Sequence, residues 1–291
     1  MRDSVGRDIL ASSSPLLPRT IGDAIAQHAV HDPDRPAIVG TAFSSFSFRE
    51  FDAWIKQTGH QLRTAGIGPH SRVGIMLPPG PEGAVLAVAV ASHAISVSLN
   101  PNRPETEIED ELARVGLDAL VLPSRAESPG LAIARTSSFG LFGASPATGS
   151  IASVPLRQTR EAAAPIQTPV DAALDSVALI FTTSGTTGTP KLIPVTHENL
   201  LVTADKMRQW FNLSPDDRTA FVLPGYYGAA IKISFLAPLL LGGGVGLPTP
   251  RHVNWPTCLR ALGPSFCSTP ILIRVPNSPS KRWRGPTCPI C

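Results

Sequence analysis

The sequence predicts an α/β fold: a mostly parallel sheet flanked by helices. Two observations carry that expectation. Short apolar runs alternate with amphipathic stretches of helical length from residue 20 onward, the pattern of β–α–β units. The clearest of these runs, Val177–Phe181, reads as a buried strand and leads straight into Thr182–Lys191, a loop of hydroxyls, glycines and one lysine. Ligands of open α/β sheets gather at such strand ends.

The elements follow in order. Residues 1–17 are rich in Ser and Pro and read as a loose tail. Thr20 can cap a helix to about Ala29, with Ile21, Ala24, Ile25 and Ala29 on one face. Ala37–Val39 is a short strand, and Ser47-Phe48-Arg49-Glu50 is a capping box. It opens a helix that points Phe51, Trp54, Ile55 and Leu62 inward and closes at Gly66 and Gly68. Val73–Leu77 is a strand stopped by Pro78-Pro79-Gly80, followed by a helix of small residues over about Pro81–Ala91 and a strand over Ile95–Leu99. Asn100-Pro101 breaks that strand, and Pro104 suits the first turn of an acidic helix with Ile108, Leu112 and Val115 on its apolar face. Ala119–Leu122 is another strand. Residues 123–171 read as a long connection in which only Leu131–Ala134 and Gly140–Gly143 look ordered. After the loop, Leu192–Val195 is extended and Thr196 caps a helix from His197 to about Trp210. Ala220–Leu223 is a strand, Ile231–Leu241 a helix, Gly242–Gly244 a turn, and Val245–Leu247 a last extended piece.

Composition narrows the function. With 43% apolar and 16% charged residues over 291 positions, the chain can bury a large core. None of the 22 acidic residues follows Asp217, whereas eight of the 25 basic ones do, so the last 74 residues carry a formal +8. Those charges are dispersed among prolines with no helical stripe and no interleaved aromatics, which argues against nucleic acid. Cys258, Cys267, Cys288 and Cys291 all lie late. No histidine follows His252, which disfavours a closed zinc site, and the final Cys-Pro-Ile-Cys is a poor prenylation box. The start lacks the apolar segment of a signal peptide, and the longest apolar run, Ala84–Ala91, is too short to span a bilayer; a cytoplasmic enzyme is expected.

The chemistry concentrates in Thr183-Ser184-Gly185-Thr186-Thr187-Gly188-Thr189-Pro190-Lys191. Gly185 and Gly188 can take the conformations that turn backbone N–H groups toward an anion. The hydroxyls of Thr183, Ser184, Thr186 and Thr187 add donors, and Lys191 adds a full charge. The mundane alternative is a solvated Ser/Thr/Gly loop. A P-loop is excluded, because Pro190 stands before Lys191 and Leu192 after it.

This run resembles the phosphate-binding signature of the adenylate-forming superfamily, which includes acyl-CoA synthetases and nonribosomal peptide synthetase adenylation domains. Leu99-Asn100-Pro101-Asn102, Val195–Leu200, Leu223-Pro224 and Leu239–Gly243 resemble flanking pieces of the same superfamily, over residues 18–275 in all. The resemblance implies ATP-dependent activation of a small carboxylic acid. It also implies Mg²⁺ carried by the triphosphate, and a CoA or phosphopantetheine thiol as acceptor. It places Thr183, Ser184, Gly185, Thr186, Thr187, Gly188 and Lys191 on the phosphates. Tyr227 stands where the family often has a histidine near the acyl pocket; it reads as a substrate contact or as a buried Tyr with its hydroxyl bonded. His197 reads as a surface residue in the first turn of a helix, with a place lining the site as the alternative. The family's later motifs, with their ribose- and metal-binding carboxylates, have no counterpart here. The chain therefore reads as the N-terminal portion of such a domain, incomplete and inactive alone. Residues 251–291 are expected to stand outside that domain as a foreign segment, a basic tail or a zinc knuckle, with 276–291 beyond all resemblance. A non-catalytic nucleotide-binding module and a basic interaction protein are the competing readings.

Overall fold

The computed structural model describes residues 18–40, 44–124, 132, 137–144, 156–161, 172–183, 191–247, 266–268 and 272–274. The N-terminal tail and residues 184–190 therefore lie outside the described residues, as does Leu131–Ala134 apart from Ala132.

Helices begin where the sequence caps them. Thr20 and Asp23 form a reciprocal capping box on α1 (Ile21–His31). Ser47 and Glu50 do the same for α2 (Phe48–Thr64), and Thr196 and Asn199 for α5 (His197–Phe211). Each box satisfies N–H groups that a helix start leaves without partners, worth about 0.5–2 kcal/mol per cap. α3 (Pro81–Ala91) has Pro at its first position and no polar cap, and every residue from Ala84 to Ala91 is buried. α4 (Glu105–Val115) buries Ile108, Leu112 and Val115 as expected, although Pro104 precedes the helix rather than entering it.

The expected parallel α/β architecture is present, but as two sheets. In chain order the strands are β1 (Pro36–Gly40), β2 (Phe46–Ser47), β3 (Arg72–Ile75), β4 (Ile95–Ser98), β5 (Ala119–Pro123), β6 (Gly140–Ala144) and β7 (Leu156–Arg160). They continue as β8 (Val177–Thr183), β9 (Lys191–Thr196), β10 (Arg218–Ala220), β11 (Gly244–Leu247), β12 (Phe266–Ser268) and β13 (Leu272–Arg274). A seven-stranded sheet has the order β7-β6-β5-β3-β4-β8-β9, parallel from β6 to β8 with antiparallel edges. A six-stranded sheet has the order β13-β12-β10-β11-β1-β2, in which β1 pairs with β11 about 200 residues later. β12 and β13 fall inside the stretch that composition sets apart from residue 251, and they extend this second sheet. β7, part of the expected long connection, is an edge strand with one buried residue; so polar a segment carries no strand signal.

One apolar core joins the two sheets. It takes Ile38 and Val245 from the six-stranded sheet, Val73, Ile75, Val121 and Phe181 from the seven-stranded one, and the buried faces of α1, α2 and α3. α4 covers the opposite face of the seven-stranded sheet, against Val97, Leu99, Leu120 and Ile180.

The expected helix over Ile231–Leu241 is instead a π-helical stretch, Ala230–Leu236, running into a short α6 (Ala237–Leu240). Pro238 explains the difference. It has no N–H to offer the carbonyl of Ser234, and its ring crowds that carbonyl in a regular α-helix. The wider turn relieves the crowding, and the buried Thr219 hydroxyl donates to the Ser234 carbonyl at 2.6 Å. Thr219→Val should strand that carbonyl and cost about 1–3 kcal/mol in denaturant unfolding, with Thr219→Ser restoring most of it. An unchanged unfolding midpoint in the valine variant would contradict this account.

Candidate phosphate-binding site

The candidate loop is the connection of a β-hairpin. β8 and β9 pair antiparallel from Val177↔Thr196 to Thr183↔Lys191, so β8 ends and β9 begins at one point of the sheet. That point is the C-terminal end of β8, beside the C-terminal end of its parallel neighbour β4 (Val97↔Ile180). The structure thus brings Thr183 and Lys191 together as cross-strand partners, and Lys191 is exposed. Ser184, Gly185, Thr186, Thr187 and Gly188 lie outside the described residues.

Pro224–Gly228 lies across this strand end, and Gly228 allows its close approach. A Cβ on Gly228 would stand 2.8 Å from the Phe181 ring, and one on Gly225 would touch Ala84 backbone atoms at 3.6 Å. Ile75, Ser98 and Phe181 sit side by side on β3, β4 and β8, facing the core. A small cavity of about 20 Å³ remains beneath Tyr226, between the ends of β3 and β4 and the first turn of α3. Tyr227 is not buried, contrary to one sequence reading: it is 54% exposed, with its ring 5.1 Å from that of Tyr226. It lies two residues past the backbone that approaches Ala84, where the chain turns outward (Tyr227 N–H to Pro224 O, 3.0 Å).

A larger depression, about 400 Å³, lies at the opposite, N-terminal ends of β1, β10 and β11. Its polar groups are engaged in holding loops: Arg35 bonds Asp32, Asp216 and the Pro215 carbonyl, and Asp217 accepts from Ser214. Four carboxylates against two guanidiniums also suit it poorly to phosphate.

His197 is a correction. It is buried rather than on the surface, and its Nδ1 accepts the backbone N–H of Ile21 at 3.3 Å, tying the start of α5 to the start of α1. A backbone N–H can only donate, so Nδ1 is unprotonated. Burial lowers the pKa to about 4, against a weaker upward pull from Asp23. Sequence missed this because the first turn of a capped helix is usually wet; only the packing of α1 against it dries the ring. His28 and His93 are lowered in the same direction by burial.

Among the described residues no three His, Cys, Asp or Glu side chains group as metal ligands, and no helix is long and apolar enough to cross a membrane.

The fold is a mostly parallel α/β domain with the connection of a β-hairpin at the C-terminal ends of its strands, where ligands of open α/β sheets gather. The comparisons make the assignment specific. The model of the AMP-binding enzyme family matches residues 25–280, and the chain belongs to that family. It is 30% identical over 274 residues to the 3-hydroxybenzoate–CoA ligase of an Aromatoleum species, covering 87% of this chain and 49% of that protein. It is 26% identical over 262 residues to the sulfoacetate–CoA ligase of Cupriavidus necator, covering 82% and 47%. Apo MatB from Rhodopseudomonas palustris superposes with a TM-score of 0.67 at 21% identity, over 83% of this chain and 47% of that one, a likeness of fold. The chain thus spans about half the length of the curated relatives it matches.

The native protein resists protonating His197 until about pH 4, while the unfolded chain takes up that proton near 6.5. Stability is therefore full above pH 6.5 and falls as the pH drops toward 4, by up to about 3 kcal/mol from this residue. Denaturant midpoints measured across that range should fall for the native sequence and less steeply for His197→Asn. Parallel slopes would show that His197 is not the titrating group.

Proposed function

We propose that this chain binds ATP through its triphosphate as part of an ATP-dependent ligase that activates a small carboxylic acid as an acyl adenylate, for transfer to a CoA or phosphopantetheine thiol. The observation that carries the reading is the closed hairpin, with Thr183 and Lys191 as partners at the C-terminal end of β8. A cation carried there on a strand, next in sequence to seven residues rich in hydroxyls and glycine, fits the β- and γ-phosphates better than the base or ribose. Thr183, Ser184, Thr186 and Thr187 supply hydroxyl donors, Gly185 and Gly188 backbone donors, and Lys191 the charge. The relatives activate acids as CoA thioesters by name, which supports the same reaction class here. Tyr227, exposed at the same edge, serves as an acid contact in this reading.

Mg²⁺ would arrive with the triphosphate and offset its charge. No carboxylate follows Asp217 to hold the metal or the ribose. We therefore expect this chain alone to bind nucleotide without turnover, and to show pyrophosphate exchange only when the later part of an adenylate-forming domain is supplied.

Lys191→Ala should weaken ATP by about tenfold to a hundredfold, the loss of one charged contact at about 1.5–3 kcal/mol, and AMP much less. Isothermal titration of both nucleotides separates the outcomes. Equal losses for ATP and AMP would remove Lys191 from the phosphates.

A further inference from the structure

Residues 228–240 form one helical run whose two ends are held by different neighbours. At the front, Gly228 lies against the Phe181 ring, and the Tyr227 carbonyl accepts the Ile231 N–H at 3.1 Å in a regular turn. At the back, Leu239 is fully buried, and the Ala237 carbonyl accepts the Leu241 N–H, again four residues on. Between them the Ala237 N–H reaches back five residues, to the Lys232 carbonyl. A turn of that kind holds one residue more than an α-helical turn. The residues ahead of it are therefore set about one position, or roughly 100°, away from where a regular helix would put them. With the back half held, a regular helix would carry Ala229 into the place of Gly228. Its methyl would then fall where a Cβ stands 2.8 Å from the Phe181 ring, so the ring would have to move. Pro238 keeps that register out, since it offers no N–H to the Ser234 carbonyl and its ring crowds it.

Phe181 stands two residues before Thr183 and pairs with Ile193 on β9. Pro194 has no N–H, so Ile180↔Pro194 is a pair without direct hydrogen bonds, and Phe181↔Ile193 is one that exchanges both. By alternation Thr183↔Lys191 is the next bonded pair and closes the hairpin end. Whatever displaces the Phe181 ring therefore acts on the frame that carries Lys191.

We propose that Pro238 is a positioning residue for the phosphate site: the wide turn it imposes sets Gly228 on Phe181 and so fixes the closing pairs of the β8–β9 hairpin. The proposal rests on the phosphate-binding reading above and adds to it a residue on a different element. A proline inside a helical run ordinarily lowers stability, so its place here is explained by register and not by stability.

Amide hydrogen exchange of the intact chain reads the hairpin end, and titration calorimetry reads ATP. Pro238→Ala returns a helical N–H, so its unfolding midpoint should hold or rise. Its Phe181 and Ile193 amides should nevertheless exchange about tenfold faster or more. ATP affinity should fall about tenfold, the effect of a displaced contact. A residue that served stability alone would move midpoint and protection together. Adding Ala229→Gly to Pro238→Ala should restore slow exchange and ATP affinity, because a glycine then takes the place beside the ring. Gly228→Ala, with Pro238 kept, should reproduce the loosening, and it tests the contact even where Pro238→Ala does not fold. Exchange unchanged in Pro238→Ala and Gly228→Ala overturns the proposal, as does failure of Ala229→Gly to rescue. Faster exchange with ATP affinity unchanged overturns it too. Absence of ATP binding in the native protein sinks the phosphate-site reading, and the exchange and rescue results then decide the placement of the hairpin end by themselves.

Discussion

The burial of α3 governs the rest of the structure. A helix with apolar residues all the way round has no face to give to water, so both of its sides must be covered. One side takes the seven-stranded sheet, through Val73, Ile75 and Val121. The other is closed by α1, α2 and the π-helical stretch, which must themselves be backed by a second sheet. The chain meets that demand by returning after Gly242 to lay β11 between β1 and β10. The left-handed turn at Gly242 matters here: its φ is +80°, and a side chain there would run into the His28 ring at 2.9 Å.

The candidate site inherits its geometry from that arrangement. Parallel strands β3, β4 and β8 end together, and α3 begins at the same edge. The Pro224–Gly228 segment lies against that edge, where Gly228 approaches the Phe181 ring so closely that a Cβ would stand 2.8 Å from it. Pro238 then forces the following helix into a wider turn, and the Thr219 hydroxyl takes up the carbonyl that this frees. The site edge is thus fixed by packing from behind.

His197 and Tyr227 show how far local reasoning reaches. Local habit reads His197 as wet, and it offers burial as one of two readings of Tyr227. Instead α1 closes over His197, and Tyr227 stands exposed at the turn that its N–H makes with the Pro224 carbonyl. The capping boxes at Thr20, Ser47 and Thr196 needed no such knowledge, since a cap and the N–H it satisfies lie within three residues.

The sequence by itself determined the helix starts, the inward faces of α1, α2 and α4, the strands Val73–Ile75 and Val177–Phe181, and the phosphate-loop residue pattern. Those signals are local, with periods of two or 3.6 residues or single turn residues, and need no partner to be read. Tertiary structure decided that the strands divide into two sheets and that β1 finds β11. It also decided that Lys191 faces Thr183 across a hairpin, that Ser98 floors a cavity, and that an imidazole is kept dry. Each of these depends on which distant segment covers which surface, and burial, unlike periodicity, is a property of the assembled core.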